Sequence, residues 1–449
     1  MATLNIYESI KTLRLSSLLG SSFVYISSSV LNKLVPILLL PILTRYLDPA
    51  SYGLTTIFFI LLAVATPLTG LNINTAIFRK YYDQQNTDLA QYISSCLVVL
   101  VSSTVLVAVV TTLASKPISA LTKFPGSWLI MGVLTAACNV VVNVLQDLAK
   151  AKGRPYHFAL LVNGQTLLTA LLTLVLVVGF HLSWQGVILA SFSGAIALAA
   201  ASMGVLIKLK LVCMTYNREY LWNAIKYGLP LVPHLVGAIG FTLSDRIIIS
   251  NIVGLESVGV YSLGFQIGSV VSVLASSFNT AWMPWLFDKL RRDGAARGVE
   301  IVRLIYLYFV LLVSFAVLHG CFSFGLLKPL FGASFAGAGR FVFWISLAFA
   351  FQGMYQMVSG FIFYSEKTHV LSWITPSVGL LSILANIVLV REFGAIGAAY
   401  TATLSYLVFF LVTWYASNRV YRMPWNPLGL RGARVRQNDG WQSQTSKDH

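Results

Sequence analysis

Leu47-Asp48-Pro49-Ala50-Ser51-Tyr52-Gly53-Leu54 and Val253-Gly254-Leu255-Glu256-Ser257-Val258-Gly259-Val260 stand 206 residues apart and keep the same serine and glycine between similar end residues. The segments that follow end on a second matched pair: Asn74-Thr75-Ala76 with Asp83 and, 205 residues later, Asn279-Thr280-Ala281 with Asp288. Two linked matches at nearly one offset indicate an internal duplication. Both copies of the turn join apolar runs of 20 or more residues, long enough at 1.5 Å per residue to cross a hydrocarbon core about 30 Å thick.

Outward from these turns, the apolar runs predict helices at about 17–45, 52–79, 89–114, 126–149, 156–181, 185–208, 221–252, 258–287, 300–323, 340–364, 369–390 and 394–418. The first run is too long for a signal-peptide core and lacks a cleavage site, so it is expected to stay as a helix. The composition agrees: of 449 residues, 57% are hydrophobic and 10% charged, against about 25% charged in a soluble domain. A collagenous or disordered chain, a secreted disulfide scaffold and a sheet-based cytoplasmic enzyme are excluded. Cys96, Cys138 and Cys321 fall in apolar spans and Cys213 in a short basic loop, with no disulfide framework or metal-ligand spacing.

The net charge of +16 has a topological explanation that needs no nucleic acid, because basic residues of polytopic proteins gather on the cytoplasmic side. With the N-terminus inside, the inner connections and tails hold 23 Lys and Arg and the outer ones 6. Both termini are therefore expected in the cytoplasm. The expected organisation is a cytoplasmic segment 1–16, a first lobe 17–208, a linker 209–220, a second lobe 221–418 and a solvated, disordered tail 419–449. The fold class is an all-α polytopic membrane protein, twelve transmembrane helices in two six-helix lobes. An even helix number per lobe gives both the same orientation, related by a pseudo-two-fold axis along the membrane normal with a cavity between them.

Ser244-Asp245-Arg246-Ile247-Ile248-Ile249, followed by Val253 to Ser262, resembles the seventh-to-eighth-helix signature of polysaccharide-type flippases. Arg45 to Leu54 at the first turn and Phe393-Gly394-Ala395-Ile396-Gly397-Ala398-Ala399 before the last helix resemble the same group. These are the Wzx-like members of the multidrug/oligosaccharidyl-lipid/polysaccharide (MOP) exporter superfamily, and the resemblance spans about residues 17–420. It implies movement of an undecaprenyl-pyrophosphate-linked oligosaccharide repeat unit from the inner to the outer leaflet of the bacterial cytoplasmic membrane, for O-antigen, capsule or exopolysaccharide synthesis. The lipid II flippases of the superfamily carry two further helices, so a peptidoglycan precursor is not the expected substrate.

Ionised groups at the bilayer centre cost about 2.5–3.5 kcal/mol on insertion scales, so those inside helices are candidates for function. Lys33 lies about 24 Å along helix 1 at 1.5 Å per residue, in the outer half of the membrane, on one stripe with Ser22 and Ser29. Tyr227, His234 and Asp245 form a similar stripe on helix 7, with Arg246 next to it. The expectation is that these stripes line the cavity. Lys33 and Arg246 would attract the pyrophosphate by charge-assisted hydrogen bonds, with Asp245 orienting one of them. A buried network locking helix 7 to its neighbours is the structural alternative for Asp245 and Arg246. Arg45 at the outer rim, and Arg79 and Lys80 at the inner rim, would supplement the field or act as interfacial anchors. His234, and Asp245 with it, are candidates for proton coupling. Asn72, Asn74 and Asn279, with Asn139, Asn143 and Gln146, are candidates for sugar hydroxyls, although joining helices across the bilayer is the favoured reading. Gly264 and Gly268 mark a close-packing face.

Two other readings stay open. A cation-coupled multidrug exporter of the same superfamily would want a buried acid in the first lobe, where helix 1 offers Lys33. A membrane enzyme such as a polymerase or ligase would want acids and bases in a substantial outer loop, and the outer connections hold only Asp48, Glu256 and Glu392 as acids. A pore or scaffold subunit of a secretion complex also fits a duplicated chain. The expected protein is a non-enzyme, without metal or cofactor, working by alternating access as a monomer among membrane lipid, beside a polysaccharide polymerase.

Overall fold

The computed structural model describes residues 24–25, 27–83, 88–293 and 298–425. The expected N-terminal segment 1–16, Ser22 and the tail beyond residue 425 lie outside the described residues. What is described is helical, and eleven helices are long and apolar enough to cross a membrane. The pair Arg218–Gly240 and Thr242–Ile252, bent by 54°, passes the same test together, which gives twelve spans where the bent pair counts as one. The protein is multi-pass, as the apolar runs require.

The first lobe contains α1 (Ser27–Tyr46), α2 (Pro49–Gly70), α3 (Ile73–Tyr81), α4 (Leu89–Leu113), the short α5 (Ser115–Thr122), α6 (Leu129–Ala151), α7 (Pro155–Leu174) and α8 (Trp184–Lys208). The second contains α10 (Leu231–Ile252), α11 (Leu255–Gly268), α12 (Val270–Asp293), α13 (Gly298–Phe331), α14 (Gly339–Tyr364), α15 (His369–Phe393) and α16 (Ile396–Val420), with α9 (Arg218–Gly228) between the lobes. Within the first lobe α6 packs on α2 and α8, and within the second α14 packs on α13 and α16. The lobes meet where α2 crosses α11 and where α10 touches α2 and α5.

The duplicated turn sits at that crossing. In the first copy Asp48 caps α2 by accepting the Ser51 N–H at 2.8 Å, with Pro49 preset for the first helical position. In the second copy Gly254, at φ +120°, begins α11 with no capping side chain, a backbone angle that favours glycine. The shared glycines permit the crossing itself. A Cβ on Gly53 would collide with the Leu255 carbonyl, and one on Gly259 with the Pro49 carbonyl. Asn251 Nδ2 donates to the Leu121 carbonyl at 2.5 Å, and Tyr52 meets Phe335 edge-on at 6.0 Å. The seam is thus closed at the end that carries the α1–α2 and α10–α11 turns. Farther along, the seam between α2, α6 and α10 opens into a cavity of about 480 Å³. The glycine pair Gly264 and Gly268 is a packing face as expected, with Phe341 and Ile345 of α14 seated against it.

Two spans expected as single helices are broken. The run 52–79 stops at Gly70 because Leu71 and Asn72 both take positive φ. There α9 docks: Asn72 Nδ2 donates to the Gly228 carbonyl at 3.3 Å, and a Cβ on Gly228 would strike the Leu71 carbonyl. The run 221–252 is α9, a turn at Leu229-Pro230, and the bent α10; Pro230 and Pro233 remove backbone donors in this stretch. Chain expected to belong to the solvated tail is also packed. Met423 is buried, and the Tyr306 hydroxyl donates to the Trp425 carbonyl at 2.6 Å.

Candidate functional site

The second half of α10 carries Asp245 and Arg246 into the middle of the protein. Arg246 is 4% exposed, and its Nη1 donates to both Asp245 carboxylate oxygens, at 2.6 and 2.8 Å. The Tyr261 hydroxyl donates to the same carboxylate from α11. The guanidinium carbon lies 3.9 Å from the centre of the Phe265 ring and 5.2 Å from that of Tyr261, so two aromatic faces compensate part of its lost hydration. The pair is consistent with the rule that a buried charge needs a partner and further hydrogen bonds. It is nevertheless incomplete. Nε is buried without a partner, and among the described residues Nη2 makes no hydrogen bond. Ser262, on the next helix, also has a buried hydroxyl without a partner.

Arg246 and Ser262 both line a cavity of about 690 Å³ between the lobes, within the range of small-molecule sites. Among the described residues that line it, Arg246 is the only Asp, Glu, Lys or Arg. The facing wall, from the first lobe, is neutral. Asn32 Oδ1 accepts the Thr166 hydroxyl at 2.7 Å, and Gln165 Nε2 donates to Asn139 Oδ1 at 2.9 Å. The rest of the lining includes Val35, Pro36, Leu39, Leu43 and Phe59 as apolar floor. Among the described residues, no three His, Cys, Asp or Glu stand together to hold a metal ion.

The expected stripes do not map onto this cavity as expected. On α1 the cavity face is Asn32, Val35, Pro36 and Leu39, whereas Lys33 with Ser29 faces a side groove against Val273, Ser276 and Thr280 of α12. Lys33 and Arg246 are therefore not brought into one pocket. The helix 7 stripe is split by the bend at residue 241: His234 is exposed, with no hydrogen bond or ion pair among the described residues, and lines neither the 690 Å³ nor the 480 Å³ cavity. Asp245 backs onto a small pocket inside the second lobe with Asn386, Thr401 and Tyr406. Asn74 lines the 480 Å³ cavity with Asn72 and Asn143 and donates to Asp147 at 2.8 Å. Its duplicate Asn279 has a buried, unpartnered Oδ1. Arg45 is exposed at the end of α1; Arg79 is exposed with its guanidinium 5.5 Å from the Tyr227 ring centre. Sequence reasoning did not single out Asn32, Gln165, Thr166 or Ser262. They lie on three different helices, so no spacing along the chain links them.

The comparisons with known proteins agree with this architecture. The chain is 21% identical over 373 residues, 78% of its length and 86% of the relative's, to protein 1 of the Lsg locus of Haemophilus influenzae. It superposes on an inward-facing multidrug resistance MATE family transporter of the MOP superfamily with a TM-score of 0.69 at 14% identity, covering 90% of this chain and 96% of that one. With the lipid II flippase MurJ in an inward closed conformation the TM-score is 0.70 at 13% identity, over 89% and 87% of the two chains. The family model described as polysaccharide biosynthesis protein matches residues 18–289. The first-lobe helices, the duplicated turn and the buried Arg246 all lie in that match, and the chain belongs to the polysaccharide biosynthesis protein family, with the two-lobe fold of the MOP exporters.

Proposed function

We propose that the chain is a flippase that carries an undecaprenyl-pyrophosphate-linked oligosaccharide across the cytoplasmic membrane, inner to outer leaflet, for a cell-surface polysaccharide. The observation that carries this reading is the unfinished guanidinium of Arg246: its Nη1 is held by Asp245, and among the described residues Nε and Nη2 have no partner. An Nε–Nη2 edge offers two parallel donors, the geometry that suits a phosphate oxygen pair, and the Ser262 hydroxyl is a third donor on the same cavity. Phosphate binding would satisfy the buried donors that the protein leaves open, and unsatisfied buried donors cost about 1–3 kcal/mol each.

In the orientation that the basic residues favour, the α2–α11 crossing seals the outer end. The headgroup then enters from the cytoplasmic half, where Asn72, Asn74 and Asn143 line the open seam. Lys33, in the side groove between α1 and α12, stands where a lipid-anchored phosphate passes from bilayer to cavity. Release outward requires the α2–α11 crossing to part and the opposite seam to close, a rocking of one lobe against the other. The prenyl chain need not leave the lipid. No covalent step is involved, so no catalytic group is assigned; a coupling role for His234 would need it to change its exposed setting.

Cells depleted of the protein test this reading. Complete lipid-linked repeat units should accumulate facing the cytoplasm. Units that accumulate already facing outward, or normal turnover, would contradict it and favour a step after translocation or drug export.

A further inference from the structure

Among its described lining residues the central cavity has one cationic side chain, and the flippase reading assigns its open donors to the pyrophosphate. Arg246 pairs with Asp245 at 2.6 Å, and the remaining polar lining consists of the amides Asn32, Asn139, Gln165 and Gln266 with hydroxyl side chains. No Lys, Arg or His stands among the other lining residues, and Lys33 faces the separate groove. Among the described residues Asn32 Nδ2 and Asn139 Nδ2 have no protein partner, while each side chain's oxygen accepts, from Thr166 and Gln165. The first-lobe wall thus offers open amide donors, a surface that hydrogen-bonds hydroxyl and acetamido groups. It has no charge with which to meet a carboxylate. Moving an ionised sugar carboxylate into such a site would leave it without a counter-charge, a desolvation penalty far larger than for a hydroxyl.

Resting on the flippase reading, we propose that the first-lobe wall is the sugar-selecting subsite and that the sugars it admits next to the pyrophosphate are neutral, hydroxyl- and acetamido-bearing ones, with uronic or other acidic sugars disfavoured. The division of labour is spatial. The second lobe binds the pyrophosphate common to every such lipid, and the first lobe reads the sugar.

The test uses the full chain in liposomes with two polyprenyl-pyrophosphate trisaccharides of equal length, one neutral and one with a uronic acid as the first or second sugar. The wild type should move the neutral lipid at least about tenfold faster. Gln165→Lys, which places a cation in the amide wall, should narrow or reverse that ratio. Asn139→Ala should lower the rate for the neutral lipid several-fold while leaving the acidic one nearly unchanged, and it serves where the lysine variant does not fold. Equal rates for the two lipids in the wild type, or a ratio untouched by both substitutions, would overturn the inference while leaving the flippase reading intact. A wild type that moves neither lipid would contradict the flippase reading and the inference with it.

Discussion

Across the central cavity, Asn32, Asn139, Gln165 and Thr166 on the first lobe face Arg246 and Ser262 on the second. The first wall keeps its polar groups neutral and pairs them with each other across helices, as Gln165 does with Asn139 at 2.9 Å. The second wall buries an ion pair, fastens it with Tyr261 and Phe265, and still leaves donors open. Helix-to-helix amide bonds inside a membrane contribute only about 0.6 kcal/mol on average, so the first wall is easily rearranged. A buried ion pair is different, since removing one partner costs about 3–5 kcal/mol. The lesson is that one wall can adapt to its ligand and the other is set before the ligand arrives.

The largest effect expected from breaking this asymmetry is at Arg246. Arg246→Ala strands the Asp245 carboxylate and should destabilise the protein by about 3–5 kcal/mol, seen as loss of folded protein in detergent. The neutral pair Asp245→Asn with Arg246→Gln removes the charges together. It should fold and yet lose transport by about 10- to 100-fold, the worth of one hydrogen bond to a charged group. Next is the crossing of the duplicated turns. Gly259→Val drives a side chain into the Pro49 carbonyl and should cost about 1–3 kcal/mol, measured as a lower unfolding temperature and as greater labelling of a cysteine placed at Ser257. Tyr261→Phe removes one donor from Asp245 and should cost about 1 kcal/mol, with transport reduced several-fold.

The smallest effect identifies which membrane face the open seam meets. In the loop before α9, Cys213 Sγ accepts the Ser94 hydroxyl at 3.5 Å and pairs with the Thr215 hydroxyl at 3.4 Å, and these hold its thiol below the ordinary thiol range. A lowered value keeps thiolate present at lower pH than in a free thiol, so maleimide labelling should decline only at a correspondingly lower pH. Labelling in inverted vesicles, and protection in intact cells, is expected if the termini are cytoplasmic. Ser94→Ala should raise the thiol toward its ordinary value and slow labelling a few-fold at neutral pH.

Much of the fold was legible because a bilayer demands long apolar helices and a duplication leaves matched turns. The boundaries that differ have tertiary causes. Leu71 and Asn72 stop α2 because Gly228 docks there, a contact 156 residues away in sequence. The break between α9 and α10 did have a local signal in Pro230 and Pro233. For the site, charge made Asp245 and Arg246 conspicuous. Polarity misdirected the reading of α1: Lys33 and Ser29 turn to a groove, and the cavity face is mostly apolar with Asn32 as its amide. Gln165 and Thr166 were silent because their partners sit on other helices.

The central claim is that Arg246 binds the pyrophosphate. It is tested most directly by measuring how a soluble, short-chain polyprenyl pyrophosphate binds to purified wild type and to the Asp245→Asn, Arg246→Gln pair. The account predicts binding to the wild type that is lost or weakened by about 10- to 100-fold in the folded neutral pair. Equal binding by the two proteins would contradict it.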